Sequence, residues 1–199
     1  MSQIKLLITG FDPFGGETVN PAWEAVKGLP DQIGAVQLHK LEIPTVFGLA
    51  ARKVLQAAEQ IHPDVIVCVG QAGGRSAITP ERIAINVRDA RIADNQGNQP
   101  RGEQVDPEGP AAYFATVDVI AMADSIEKAG IPATVSNSAG AFVCNDTLYT
   151  LLHHFARTET KVGFVHVPFL PEQAKDHIPS MELAQITAGL AAAISSLAK

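Results

Sequence analysis

The sequence is poor in several residue types, and each shortage excludes something. Among 199 residues there are two cysteines, Cys68 and Cys144, too few for a disulfide-built secreted scaffold. No apolar run approaches the ~18 consecutive residues of a membrane span. The opening MSQIKLLITGFDPFGG has too short an apolar stretch, and no small-residue cleavage site, to read as a secretory signal. These features point to a reducing, cytoplasmic setting with free thiols, and argue against a Cys68–Cys144 disulfide. Lysine and arginine number 15 against 21 aspartates and glutamates, a formal net charge of −6, with no basic run. That balance excludes a face for phosphate backbones, so neither nucleic acid nor a membrane is an expected partner. The glycine-rich GQAGGRS (70–76) lacks both G-x-G-x-x-G and Walker spacing, which argues against a nucleotide cofactor. Internal repeats and low-complexity tracts are absent.

What is present describes an ordinary globular chain: 46% hydrophobic and 18% charged residues, enough for one domain over 1–199 with a good core. Strand and helix patterns alternate. Strands are expected at 4–10, 35–44, 64–70, 132–138 and 161–168, and helices at 20–29, 46–60, 119–130, 145–157 and 180–198. Asn20 is a candidate N-cap with Pro21 at the first helical position. DVIVCVG (64–70) is β-branched on both faces, as a central parallel strand is. Residues 81–93 read as a strand pair or an excursion, and 94–110 as a polar loop rich in glycine and proline. The expected fold is α/β: a single-domain α/β/α sandwich around a mostly parallel, twisted central sheet.

In such sheets ligands bind outside the carboxyl ends of the strands. Four loops or strand ends there are rich in chemistry: GFDPFGG, GQAGGRSAITPER, NSAGAFVCN and FVHVP. Cys68 lies inside a central strand and reads as a small buried hydrophobe. Cys144 follows its strand at the start of a helix led by Asn145 and Asp146. There the helix dipole and free N–H groups favour a thiolate, and the same N–H groups can receive an oxyanion. A buried structural cysteine is the alternative.

A nucleophilic thiol needs a base, and the base an orienting group. Of the six histidines, His153 and His154 lie mid-helix, His62 in a turn, His39 in an early strand and His177 in a late loop. His166 ends a strand at the rim where Cys144 is expected. For the third member Glu81 is plausible, although it can equally pair with Arg82. Asp146 and Asp12 are rivals by spacing. The residues alone reach a possible cysteine hydrolase.

The segments GQAGGRSAITPERIAIN and IPATVSNSAGAFVCN carry a further signal. With LITGFDPFGGETVNPAWEAV and VGFVHVPFLPEQ, they resemble the pyroglutamyl peptidase I (pyrrolidone carboxyl peptidase) family of cysteine peptidases, in order and over nearly the whole chain. The resemblance implies a Cys–His–Glu triad at Cys144, His166 and Glu81, and removal of an N-terminal pyroglutamyl residue from peptides and proteins. The lactam is small, flat and uncharged, so it suits apolar walls with one or two polar contacts. The resemblance assigns those walls to Phe11, Phe14, Phe142 and Val143, and the polar contacts to Asn20 and the Gln71 backbone. It places Arg91 near the oxyanion, with the Cys144 N–H. It also implies a homodimer or homotetramer.

The mechanism this implies has His166 taking the Cys144 proton, or the two resting as an ion pair, with Glu81 fixing the imidazole tautomer. Attack on the pyroglutamyl carbonyl gives a thioester that water hydrolyses. No metal or organic cofactor is required. Two rivals remain: another α/β hydrolase or phosphorylase-like enzyme acting on a small ring, and a binding protein that keeps the pocket without catalysis.

Overall fold

Strand β1 (Ile4–Phe11), β3 (Val36–Ile43), β4 (Val65–Gln71) and β8 (Lys161–Val167) form the parallel centre of a six-stranded sheet. The short β2 (Gln32–Ile33) and β5 (Thr79–Pro80) add antiparallel edges, in the order β2-β3-β1-β4-β8-β5. The computed structural model describes residues 3–175 and 177–198. Residues 1, 2, 176 and 199, within the span expected as one domain, lie outside the described part.

Period-two alternation sends successive side chains to opposite faces. Leu6, Ile8, Val65, Val67, Val69, Val165 and Val167 pack against α1 (Pro21–Gly28), α3 (Val119–Lys128) and α5 (Leu183–Ser195). Leu7, Phe11, Ile66, Cys68, Val162 and Phe164 face α2 (Leu49–Ile61) and α4 (Val143–His154). Both faces of the central strands are therefore apolar, which is why they read as unbroken hydrophobic runs. The chain leaves β1 for β3 on one side and then reaches β4 on the other. The switch in strand order falls between β1 and β4, and a crevice opens there at the carboxyl ends.

Several expectations change, and the helices expected from 46 and 180 begin at Leu49 and Leu183. The strand expected at 132–138 is reduced to isolated parallel bridges, Ile78 to Ala133 and Glu81 to Ser136. Its neighbour β5 is two residues long and contains Pro80, which cannot donate to a ladder. The Ser136 and Ser138 hydroxyls instead accept the N–H groups of Ser138 and Gly140, at 3.3 and 3.2 Å, and curl the segment into turns. The helix expected from 145 starts earlier, at Val143, so Cys144 is its second residue. The excursion at 81–93 contributes only β6 (Ile83–Ile85), paired antiparallel with β7 (Ala112–Phe114) across the long polar loop.

Asn145 ties that excursion to α4. It is fully buried, and its Oδ1 accepts the Ile85 N–H while Nδ2 donates to the Ile85 and Val87 carbonyls, each at 2.9 Å. Removing it takes the hydrogen-bond partner from the partly buried Ile85 N–H and Val87 carbonyl, while the Ile85 carbonyl keeps the Val87 N–H. Asn145→Ala is expected to lower stability by about 1–3 kcal/mol, read as a fall in the urea midpoint at unchanged m-value.

Candidate active site

A cavity of about 890 Å³ opens at the switch point, and Phe14, Arg75, Arg91, Phe142, Cys144 and His166 are among its walls. Cys144 reaches it from the first turn of α4. The N-cap residue, Phe142, has no side-chain acceptor to offer, and the first helical bond runs from the Asp146 N–H to the Phe142 carbonyl. The amides of residues 143–145 thus have no intrahelical acceptor, and the Cys144 N–H lies at the positive end of the helix dipole.

Gly70 makes room for the thiol. A Cβ on Gly70 would stand 3.0 Å from Cys144 Sγ and 2.8 Å from the Phe164 ring. Gly70 pairs in register with His166 on β8. Parallel pairing thus carries His166 to the same end and the same face of the sheet as the sulfur.

Behind His166 lies Glu81, with no exposed surface. His166 Nδ1 is 2.7 Å from Glu81 Oε1. An ionised carboxylate can only accept, so Nδ1 carries the hydrogen and Nε2 keeps its lone pair. Burial would raise the Glu81 pKa, but the hydrogen bonds from His166 and Arg75 to Oε1, with the field of His166, hold it below its usual value. His166 is lowered, chiefly by burial, with Arg75 assisting against the carboxylate. Burial also pushes the Cys144 thiol up to about 12, with Glu81 and Cys68 adding to the rise and Arg75 opposing it. These shifts favour a neutral thiol beside a neutral imidazole over a preformed ion pair.

The rival carboxylates are committed elsewhere. Asp146 accepts from Arg88 Nε at 2.6 Å and from the Gly48 N–H at 2.8 Å. Asp12 accepts from the Thr45 N–H and Asn95 Nδ2. Glu81 pairs with Arg75, which lies in the strand-end loop GQAGGRSAITPER but had no role of its own assigned from the sequence. The signal available was a cation six residues before a carboxylate of apolar surroundings. Among the other histidines, His153 bonds Tyr113 and stands 3.5 Å from Asp106, away from the cavity. Both thiols are free, and burial pushes Cys68 up to about 12.

The residues expected to hold a ligand divide into two groups. Phe14, Gln71, Arg91 and Phe142 line the cavity, with the Phe14 and Phe142 ring centres 6.0 Å apart. Phe47 meets Phe142 edge-on at 5.3 Å. Phe11 and Val143 lie in the core below the cavity floor, Phe11 against Phe164. Asn20 is buried at its helix cap, where Oδ1 accepts the Ala22 N–H and Nδ2 donates to the Asp12 carbonyl, each at 3.0 Å. It anchors the loop after β1 and does not reach the cavity wall. Gln71 Oε1 accepts from Gln173 Nε2 at 3.0 Å. Among the described residues, no cluster of His, Cys, Asp and Glu could hold a metal ion, and no helix is long and apolar enough to cross a membrane.

A sequence model of the family described as pyroglutamyl peptidase matches residues 4–199. The pyrrolidone-carboxylate peptidase of Levilactobacillus brevis is 53% identical over 98% of this chain and 97% of its own. That of Bacillus licheniformis is 52% identical over 97% and 93%. Pyroglutamyl peptidase I from Bacillus amyloliquefaciens superposes with a TM-score of 0.94 at 47% identity, covering 98% of this chain and 96% of that one. The pyrrolidone carboxyl peptidase of Thermococcus litoralis does so at 0.93 and 36%, covering 98% and 93%.

The lowered His166 sets an acid limit on stability. Below the ordinary histidine value near 6.5, the unfolded chain binds a proton that the buried folded ring does not, so stability falls with pH. The depressed Glu81 adds a loss in the same direction, beginning near the usual carboxylate range. Wild type is expected to lose melting temperature between pH 7 and 5, whereas His166→Gln shows a flatter profile over that window. Parallel melting curves would refute the shift.

Proposed function

The chain belongs to the pyroglutamyl peptidase family, and from that premise we propose that it removes N-terminal pyroglutamyl residues through a thioester on Cys144. As a member it is a hydrolase, a cysteine peptidase of the pyroglutamyl type. The observation that supports the mechanism is the shared cavity of Cys144 and His166, with Glu81 buried 2.7 Å behind the imidazole.

The lactam packs between Phe14 and Phe142, with Gln71 supplying polar contact. Phe11 and Val143 support that wall from below, and Asn20 fixes the loop that carries Phe14. His166 Nε2 takes the Cys144 proton as sulfur attacks the pyroglutamyl carbonyl carbon, with Glu81 holding the ring in the required tautomer. The Cys144 N–H, with Arg91 from the rim, receives the oxyanion. As the scissile C–N bond breaks, His166 returns its proton to the leaving amine. Water, deprotonated by His166, then cleaves the thioester and restores the thiol. The chemistry calls for no metal or organic cofactor. A reducing cytoplasm suits the free thiol, and assembly into a homodimer or homotetramer is part of the same reading.

The first test is amine release from L-pyroglutamyl 7-amido-4-methylcoumarin, with the prolyl analogue as control. Cys144→Ser is expected to lose activity by about a thousand-fold or more, since removing the nucleophile removes the covalent route. Retained activity would show the nucleophile to be misassigned. A folded, reduced wild type that binds pyroglutamyl peptides without cleaving them would establish the binding-protein alternative. A pyroglutamyl-prolyl substrate, whose scissile nitrogen lacks a hydrogen, is expected to be cleaved more slowly than pyroglutamyl-alanyl. Equal rates would remove that expectation.

A further inference from the structure

Arg75 occupies a place that packing alone does not require. Its side chain is partly exposed, at 29%, on the cavity wall, yet it reaches a carboxylate with no exposure at all. Nη1 donates to Glu81 Oε1 at 2.5 Å and also to Thr79 Oγ1, and Nη2 donates to the Ser138 carbonyl at 3.2 Å. One side chain thus joins the loop after β4, the strand β5 and the segment that runs into α4. The oxygen it holds is the one that accepts from His166 Nδ1. Gly73, two residues earlier, has no space for a side chain because the Phe169 ring covers it, so the loop carrying Arg75 is pressed against the sheet end.

We propose that Arg75 is a positioning residue that acts through Glu81, holding the carboxylate ionised and oriented while keeping His166 an uncharged base. This inference rests on the Cys144–His166–Glu81 reading and extends it. Two donors on one carboxylate oxygen divide its negative charge. Arg75 shares the carboxylate with the imidazole and so weakens the pull that Glu81 exerts on a second proton at His166. The direction agrees with the lowering of His166 in which Arg75 takes part. The charged and titratable groups facing this centre are few. Glu81 precedes β6, Cys144 is on α4, Cys68 is on β4, and Glu17, Asp89 and Arg91 stand on the farther cavity walls. Of the two cavity cations, Arg75 is the one that touches Glu81.

The test compares kcat/KM across pH 5 to 9 for wild type, Arg75→Met and Arg75→Lys. The acid limb reports protonation of the free enzyme's base. Losing a cation beside the Glu81–His166 pair is expected to move that limb to higher pH by about one unit. At pH 6 this appears as a loss in kcat/KM exceeding the loss at pH 9. Arg75→Lys keeps the charge without the fork, and is expected to restore the limb position while remaining slower than wild type. Should Arg75→Met fail to fold, Arg75→Gln removes the charge while keeping a donor, and gives the same reading. A uniform loss with an unmoved limb, or no loss at all, overturns the proposal. The triad reading is judged separately, by Cys144→Ser and Glu81→Gln in the same assay. If those variants keep full activity while wild type cleaves the substrate, the triad fails, whatever Arg75 does.

Discussion

A carboxylate without any solvent exposure is expensive unless its charge is met on site. Glu81 is such a group, and the candidate centre is arranged around meeting its charge. His166 and Arg75 converge on Oε1, while Oε2 is buried without a hydrogen-bond partner. To supply those partners the fold must bring β8 and the loop after β4 to the residue that precedes β6. An ion pair placed this way does little for stability as such. Its consequence is geometric: with the carboxylate fixed, the imidazole has one tautomer and one orientation.

The sheet supplies the rest. Strand order switches between β1 and β4, and parallel pairing brings Gly70 and His166 into register at the carboxyl ends. Because Gly70 lacks a side chain, the first turn of α4 can lay Cys144 directly over the strand. Asn145 and Asp146, the next two residues, are fully buried and bind the β6 excursion, Arg88 and the loop before α2. The helix start is therefore held by polar contacts of Asn145 and Asp146, while its first N–H groups have no intrahelical acceptor. Burial then biases the thiol and the imidazole toward their neutral forms.

Much of this was legible in the chain itself. The period-two and 3.6-residue patterns gave the alternation of strands and helices. Cys68 in an apolar strand and Cys144 at a helix start have different surroundings, and local sequence shows both. Asn20 followed by Pro21 reads as a helix cap, and the cap is what occupies its amide. The strand expected at 132–138 dissolves into turns because two serines find acceptors and donors nearby, a competition that composition alone does not decide.

The sequence by itself determined the main alternation of strands and helices, residues 132–138 excepted, and that the reactive residue types gather in loops at the strand ends. Those properties depend on local periodicity and side-chain chemistry. Only the tertiary structure decided that Glu81 pairs with Arg75 and not Arg82, that Asp146 and Asp12 are already committed, and that Phe11 and Val143 lie beneath the cavity. Each of these is a distance between segments far apart in the chain, such as the 85 positions separating Glu81 from His166. Distances of that kind are set by strand register and by how closely backbones approach, as at Gly70, and no stretch of sequence carries them alone.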